Sequence, residues 1–490
     1  MAQKIFINGE FVQAKSEKTL KIHNPTNGEF IDEVPLCGEV DINLAMDAAR
    51  KAQKSWWRLS GLEKAEHFHH IAKNLREMQD ELATLLTQET GKPFIESRDC
   101  VEWVAAIFNY YAETGRSSRG LSLPPVAEHQ INFTIKEPYG VAVCIAPFNF
   151  PLLLMAWKIA PALVTGNTAV CKPPHQNPLS NLLMAKAFSH LPPGVINFVT
   201  GDGALTGDLL INHPETDVIA FTGSTKVGRL VAETAGRHLK KVNLEMGGID
   251  PFLVFDDADI DIAVRGAVWA RLLNAGQVCT SSKRIYVDEK IADEFEAKLI
   301  EAVKQVKVGD PMNPDTDMGP MISQEAAEQV EKQVEDLIKE GAKLIVGGKR
   351  YNPHGLKGNF FEPTILLNVK HGGLATTEEV FGPVISIIRA KNAEEMIEMA
   401  NDSKYGLGAT IYTNSLYYSM KAMEEIKAGT FWVNDPLSDN DAGPFGGMRQ
   451  SGIGRELGEE GLDAFREPKH VHIDYKMEIK DYWFPYSNRK

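Results

Sequence analysis

The chain has 490 residues, 43% hydrophobic and 24% charged, which is enough apolar sequence for a large core and the length of two or three ordinary domains. Its formal charge of −14 argues against nucleic acid or anionic membranes as partners, because both demand a basic face. No stretch approaches the ~20 apolar residues of a membrane span, and the start, MAQKIFINGEFV, shows no long apolar run after its basic residue.

In chain order, helices come first. Between residues 40 and 116 apolar side chains recur at three-to-four spacing, in VDINLAMDAARKAQKSWW and EKAEHFHHIAKNLREMQDELATLL. EHFHH brings together His67, His69 and His70, but only His67 and His70 share a helical face. Zinc needs three or four converging ligands, so a solvated helix face is expected and no metal. ETGKPF suggests a phosphate loop, yet Leu86 stands where the first glycine belongs. Residues 122–138, SLPPVAEHQINFTIKEP, alternate apolar and polar, as does the tail HVHIDYKMEIKDYWF. Both predict extended arms that pair with each other or with another subunit.

From residue 140 short β-branched runs alternate with helical stretches. GVAVCIAP, TAVCKP, INFVTG, VIAFTG and KVNLEMGG read as strands, with LLLMAWKIAPALVTG, NLLMAKAFSHL, ALTGDLLINH and KVGRLVAETAGRHL as the helices between them. That rhythm predicts βαβ units and a parallel, doubly wound sheet. GDGALTG, residues 201–207, opens Gly-x-Gly after a strand but lacks the third glycine of a dinucleotide fingerprint. A second α/β series runs from residue 251, with PFLVFD, RIYVD, KLIVGG, FFEPTILLNV, PVISIIRA and GATIYTN as strands. Its helices include IDIAVRGAVWARLLNAG and IADEFEAKLIEAVKQV, and Gly247 and Gly248 mark the boundary between the two series. No internal repeat or low-complexity tract is present.

The five cysteines, Cys37, Cys100, Cys144, Cys171 and Cys279, are scattered, odd in number and without a CxxC pair. That fits a reducing cytoplasm rather than a disulfide framework or structural zinc. Cys279 stands apart, between small and polar neighbours in NAGQVCTSS after a long helix. A lone cysteine is more often a small buried hydrophobe, so its company decides. Glu245 interrupts the apolar VNLEM, where a carboxylate is costly unless paired or useful. Asn149 in APFNFP follows a strand, and an amide donor there suits a developing oxyanion as well as a turn. No Gly-x-Ser-x-Gly elbow occurs.

APFNFPLLLMAWKIAPALVTGNTAVCKP, FTGSTKVG, LEMGG, GQVCTSSKR, EEVFGPV and PFGGMRQSGIGRE, in this order, resemble the NAD(P)-dependent aldehyde dehydrogenases over nearly the whole chain. The resemblance implies two doubly wound α/β domains plus a small β oligomerisation arm. Residues 1–121 and 139–247 would bind the cofactor, with 443–465 returning to them; 248–442 would be catalytic; 122–138 and 466–490 would join subunits as a homodimer or homotetramer. It also implies that Cys279 attacks the aldehyde and that Asn149 holds the oxyanion with the Cys279 N–H. Glu245 activates water against the thioester, and Lys158, near Asn149, positions; the bland alternative for Lys158 is a solvated helix charge. Glu379 would bind the nicotinamide ribose, Lys172 the adenine ribose, Ser224 the pyrophosphate at a helix start and Gly203 the adenosine, with Phe148 and Phe381 alongside.

Two departures bear on the cofactor. Relatives that prefer NAD have a glutamate where His175 stands, so the repulsion of a 2′-phosphate is gone; Lys172, His175 and Lys226 together favour NADP, alone or beside NAD. Phe148 replaces a common tryptophan, and Asp250 a common asparagine. Phe150, Leu154 and Trp157, with Val278 and Thr280 beside the sulfur, would line the aldehyde's tunnel; this apolar set suggests medium-chain aliphatic or aromatic aldehydes. No arginine can be placed to hold a substrate carboxylate, so a succinate-type semialdehyde is the runner-up. A CoA-acylating enzyme would not need Glu245, and a non-enzymatic binding protein would not keep all three reactive residues.

Overall fold

The computed structural model describes residues 2–117 and 120–488; residue 1, residues 118–119 and residues 489–490 of the expected segments lie outside the described residues. After four short strands, Ile5–Ile7, Glu10–Val12, Thr19–His23 and Phe30–Pro35, come four helices, Glu39–Trp57, Gly61–Glu77, Gln79–Thr90 and Phe94–Arg116. The second carries a reciprocal cap at its start, Ser60 with Glu63, which satisfies two of the orphan N–H groups of the first turn. Gly91, in the left-handed region, ends the third helix, so ETGKPF is a helix stop rather than a phosphate loop. His69 bonds Asn109 and Glu113, while His67 and His70 stack against His190; among the described residues no group of three or more His, Cys, Asp or Glu is arranged to hold a metal.

The first large sheet has eight strands, and five of them are the parallel set read from the sequence. Their spatial order is Lys241–Glu245, Val218–Thr222, Val141–Ile145, Thr168–Lys172, Ile196–Phe198. Val141–Ile145, Thr168–Lys172 and Val218–Thr222 are buried at every position, as helices on both faces of a parallel sheet require. The chain starts in the middle at Val141–Ile145, winds to one side and then returns to the other. The direction therefore reverses between Val141–Ile145 and Val218–Thr222, which opens a crevice beyond their carboxyl ends. APFNFP and FTGS leave the sheet there.

The second sheet has seven strands, with Asp250–Val254 between Ser282–Asp288 and Gly408–Tyr412, all parallel. Only its edge strand Lys343–Val346 is antiparallel. A third sheet joins Arg466–Asp474 to Gln130–Pro138 over nine antiparallel pairs, with Ser122–Leu123 on the far side. The two arms thus pair with each other. The strand expected through the tail stops at Asp474, and beyond it Met477, Ile479 and Phe484 stand in solvent.

Three expected helices are shorter than their patterns. ALTGDLLINH begins as a π-turn over Gly203–Gly207, NLLMAKAFSHL tightens to a 3-10 turn at Ala185–Phe188, and IDIAVRGAVWARLLNAG is α-helical only over Ile260–Leu272. The last break matters for function, because it builds the loop that presents Cys279.

Candidate active site

Beyond Leu272 the backbone turns left-handed at three successive residues, Asn274, Ala275 and Gly276. Glycine accepts this freely and asparagine tolerates it, but Ala275 carries strain of roughly 1–3 kcal/mol that its surroundings must hold. Asn274 does much of the holding, its amide donating to the carbonyls of Asn149 (3.1 Å) and Gln277 (3.3 Å). Arg271, fully buried, donates to the Gly276 carbonyl (3.2 Å), Ser281 Oγ (2.8 Å), the Val380 carbonyl (2.7 Å) and the Val384 carbonyl (2.7 Å). One guanidinium therefore knits the GQVC loop to the EEVFGPV loop, using the planar fork that lysine lacks.

Cys279 keeps partial exposure, while the other four cysteines are buried; all five are free thiols. Its thiol faces Glu245, the last residue of the strand Lys241–Glu245. Crowding pushes the thiol pKa well above its ordinary value, and the Glu245 carboxylate pushes it further, with Lys283 opposing. Glu245 is itself buried, and neither carboxylate oxygen has a well-formed hydrogen bond among the described residues. Burial, then Glu456, raise its pKa well above the ordinary range; Lys158 and a loose contact from the Cys279 thiol pull the other way. Both groups therefore hold their protons to higher pH than they would in water. A carboxyl left without partners beside a sulfur is a poor structural element and a ready base.

Asn149 lies between the strand Val141–Ile145 and the helix Pro151–Val164, and is buried. Its backbone carbonyl is held twice, by Asn274 and by the ammonium of Lys92 at 3.1 Å. Lys92, also buried, sits 3.4 Å from the centre of the Phe150 ring. Sequence reasoning missed Lys92, Asn274 and Arg271, and no local signal marks them, because their partners come from distant segments. Lys158 is fully buried rather than solvated. It donates to Glu456 (2.5 Å), Thr222 Oγ1 (2.6 Å) and the Leu154 carbonyl (3.1 Å), with no bond to Asn149.

Phe150 and Val278 close one small apolar cluster with Ala270, Leu273, Trp432 and Leu437. Leu154 and Trp157 sit instead in the large core, where the Trp157 ring meets Phe445 at 4.9 Å; Thr280 is buried beside the sulfur. Near the small cluster lies Asp439, one of whose oxygens is buried without a partner. Burial raises its pKa to about 7, and its charge reaches Cys279.

The expected cofactor residues come from several segments. Glu379 accepts from the Gly248 N–H at 3.4 Å and pairs with Lys283 at 3.1 Å. A Cβ at Gly247 would stand 2.3 Å from the Glu379 carboxylate, so the glycine of LEMGG exists to let that carboxylate in. Phe148 and Phe381 meet edge to face at 6.0 Å. Ser224 caps the helix Thr225–Arg237, accepting from the Val227 N–H at 3.4 Å. Gly203 is exposed in the π-turn, with room around it. Lys172 is buried and its pKa falls to about 8; His175 is exposed beside it, its pKa lowered by packing and then by Lys172. The charge of Asp202, a carboxylate that the sequence did not single out, opposes both downward shifts. Lys226 is exposed in the first turn of its helix. The Glu379 carboxylate, the helix start at Ser224 and the Lys172 ammonium are groups that fit a dinucleotide.

Fold and site together define a cysteine-dependent, dinucleotide-using α/β enzyme. The model of the aldehyde dehydrogenase family matches residues 11–471, and the chain belongs to that family. Retinal dehydrogenase 2 of Gallus gallus is 41% identical over 96% of this chain and 91% of its own length. Betaine aldehyde dehydrogenase of Bacillus subtilis (strain 168) is 40% identical over 99% and 100%. The NADP(+) succinate-semialdehyde dehydrogenase of Escherichia coli (strain K12) is 37% identical over 96% and 98%. Among solved structures, betaine aldehyde dehydrogenase of Staphylococcus aureus in complex with NAD+ superposes with a TM-score of 0.96 at 36% identity, covering 99% of this chain and 97% of that one. The protein is an NAD(P)-dependent oxidoreductase with two α/β sheet domains. Among the described residues no helix is long and apolar enough to cross a membrane.

Proposed function

We propose that the protein oxidises uncharged medium-chain aliphatic or aromatic aldehydes to carboxylic acids, in the cytoplasm, as a homodimer or homotetramer. The observation that carries this reading is the facing of Cys279 and Glu245, a thiol and a partnerless buried carboxyl. Cys279 loses its proton and attacks the carbonyl carbon, forming a hemithioacetal. The Asn149 amide and the Cys279 N–H hold the oxyanion. A nicotinamide held by Glu379 would supply the hydride acceptor, and loss of hydride from the hemithioacetal would leave a thioester on Cys279. Glu245 then takes a proton from water, which displaces the sulfur and releases the acid.

The apolar cluster of Phe150, Val278, Trp432 and Leu437 favours an apolar aldehyde tail. Asp439 and Glu245 present buried carboxyls rather than a cation, which disfavours a substrate carboxylate. The semialdehyde alternative draws its support from the Escherichia coli relative. At the ribose end, Lys172 supplies attraction for a 2′-phosphate and the His175 imidazole a hydrogen-bonding group, while Asp202 supplies an acceptor for a hydroxyl. The expected outcome is use of both NADP and NAD, with efficiencies within about tenfold, equivalent to about 1.4 kcal/mol. The paired arms and the exposed apolar tail beyond Asp474 supply a face for a second copy of the chain.

The test is formation of reduced cofactor from hexanal, benzaldehyde and succinate semialdehyde with each dinucleotide, in the unaltered enzyme and in Cys279→Ala. Hexanal or benzaldehyde oxidation that vanishes in the variant supports the reading. Turnover of succinate semialdehyde alone would replace the substrate class, and full activity in Cys279→Ala would remove the mechanism.

A further inference from the structure

One buried cation near the sulfur has no role in the steps above. Lys283 lies at the start of the strand Ser282–Asp288, four residues beyond Cys279, and its side chain is 1% exposed. An ammonium has three donors. Here they go to the carbonyls of Val278 (2.9 Å) and Cys279 (2.5 Å) and to Glu379 (3.1 Å). The Phe381 ring centre lies 5.7 Å from the same nitrogen. Glu379 is fixed from its other side by the Gly248 N–H and by the absence of a side chain at Gly247. Two segments that meet only in the folded chain, the nucleophile's loop and the cofactor carboxylate, therefore share one buried charge.

Resting on the reading of Cys279 as nucleophile and Glu379 as ribose acceptor, we propose that Lys283 is a positioning residue that couples occupancy of the cofactor site to the geometry and reactivity of Cys279. When Glu379 turns toward ribose hydroxyls, the ammonium is the group that must readjust, and the two carbonyls flanking the thiol move with it. A buried ammonium is costly to desolvate, so a purely space-filling role would be served better by an apolar side chain of the same length. The same charge stands close enough to favour the Cys279 thiolate against the opposing carboxylates of Glu245, Asp250 and Asp439.

The experiment is the rate of iodoacetamide labelling of Cys279, located by mass spectrometry, across pH and with or without saturating NADP. In the unaltered enzyme, NADP should change the labelling rate about tenfold. In Lys283→Met, the labelling profile should move to higher pH and the NADP effect should vanish, with the thermal midpoint confirming a folded protein. Lys283→Arg should restore the profile in part. Glu379→Gln, which keeps the Lys283 bonds to both carbonyls, should lose the NADP effect at saturation and retain the cofactor-free profile. An unshifted profile with the NADP effect intact in folded Lys283→Met overturns the proposal; if that variant does not fold, a persistent effect in Glu379→Gln does so. Aldehyde turnover lies outside this assay, so a mistaken substrate reading leaves it intact, whereas labelling that avoids Cys279 in the unaltered enzyme sinks both readings.

Discussion

Two buried carboxyls within each other's field, Glu245 and Glu456, are treated in opposite ways. Glu456 receives the Lys158 ammonium at 2.5 Å, and Thr222 and the Leu154 carbonyl engage the same nitrogen. Glu245 receives only the loose approach of a thiol. Burial raises both; the Lys158 ammonium opposes the rise at Glu456 and anchors it, whereas Glu245 has no such anchor and is free to exchange its proton. The difference separates a group that builds the site from one that works in it.

The largest effect should come from Glu245→Gln. The amide preserves shape and removes the base, so a burst of reduced cofactor should precede steady turnover slowed by about 10²–10⁴-fold. Rapid-mixing kinetics show this directly, and loss of the burst itself would mean that Glu245 also activates the thiol. At the paired carboxyl the loss should fall on folding instead. Lys158→Met leaves Glu456 buried and alone, which should cost about 3–5 kcal/mol in urea unfolding. Adding Glu456→Leu should recover most of that stability, and a double variant no better than the single would show that the pair is not an isolated unit.

Asp250 offers a third case, partly paired. It is buried at the start of its strand with one oxygen unpartnered, and its pKa rises from 3.8 to about 7 through burial, with Lys283 opposing. A raised acid pKa means that the native state holds its proton longer than the unfolded chain does. The resulting stability is present in acid and lost as pH climbs from near 4 through 7. Asp250→Asn should therefore be more stable than the unaltered protein at pH 8, by about 1–3 kcal/mol, with the gain gone at pH 4. Thermal unfolding at both pH values measures it.

The smallest effect concerns the reactive pair itself. Cys279 and Glu245 are both shifted upward, so their active, deprotonated forms grow with pH. Aldehyde kcat/KM should climb through the neutral and alkaline range by up to about tenfold per pH unit. A flat profile would show that cofactor or substrate binding removes the proton beforehand.

Much of the molecule is legible in its residues alone. The parallel strands and the helices between residues 40 and 116 follow from periodicity; Cys279, Glu245 and Asn149 stand out as unusual residues, and their proposed roles come from the family resemblance. Other expectations need correction. The tail pattern predicts strand well past Asp474, but alternation without a neighbour to pair with makes no sheet. The helix leading to Cys279 breaks at Leu272 because Asn274 bonds across to Asn149, a long-range contact that outweighs helical periodicity. His175 suggests simple attraction for a phosphate, and Asp202 brings back a carboxylate from another segment.

The sequence by itself determined the family, through its linked motifs, and the doubly wound architecture, through local period; it also supplied Cys279, Glu245 and Asn149 as the proposed reacting groups. Tertiary structure alone decided which charges are paired. Lys158 finds Glu456, Lys283 finds Glu379, Gly247 yields its space to that same carboxylate, and Glu245 finds none of them. Coulombic and hydrogen-bond energies depend on distances of a few ångströms between segments remote in the chain, and only folding sets those distances.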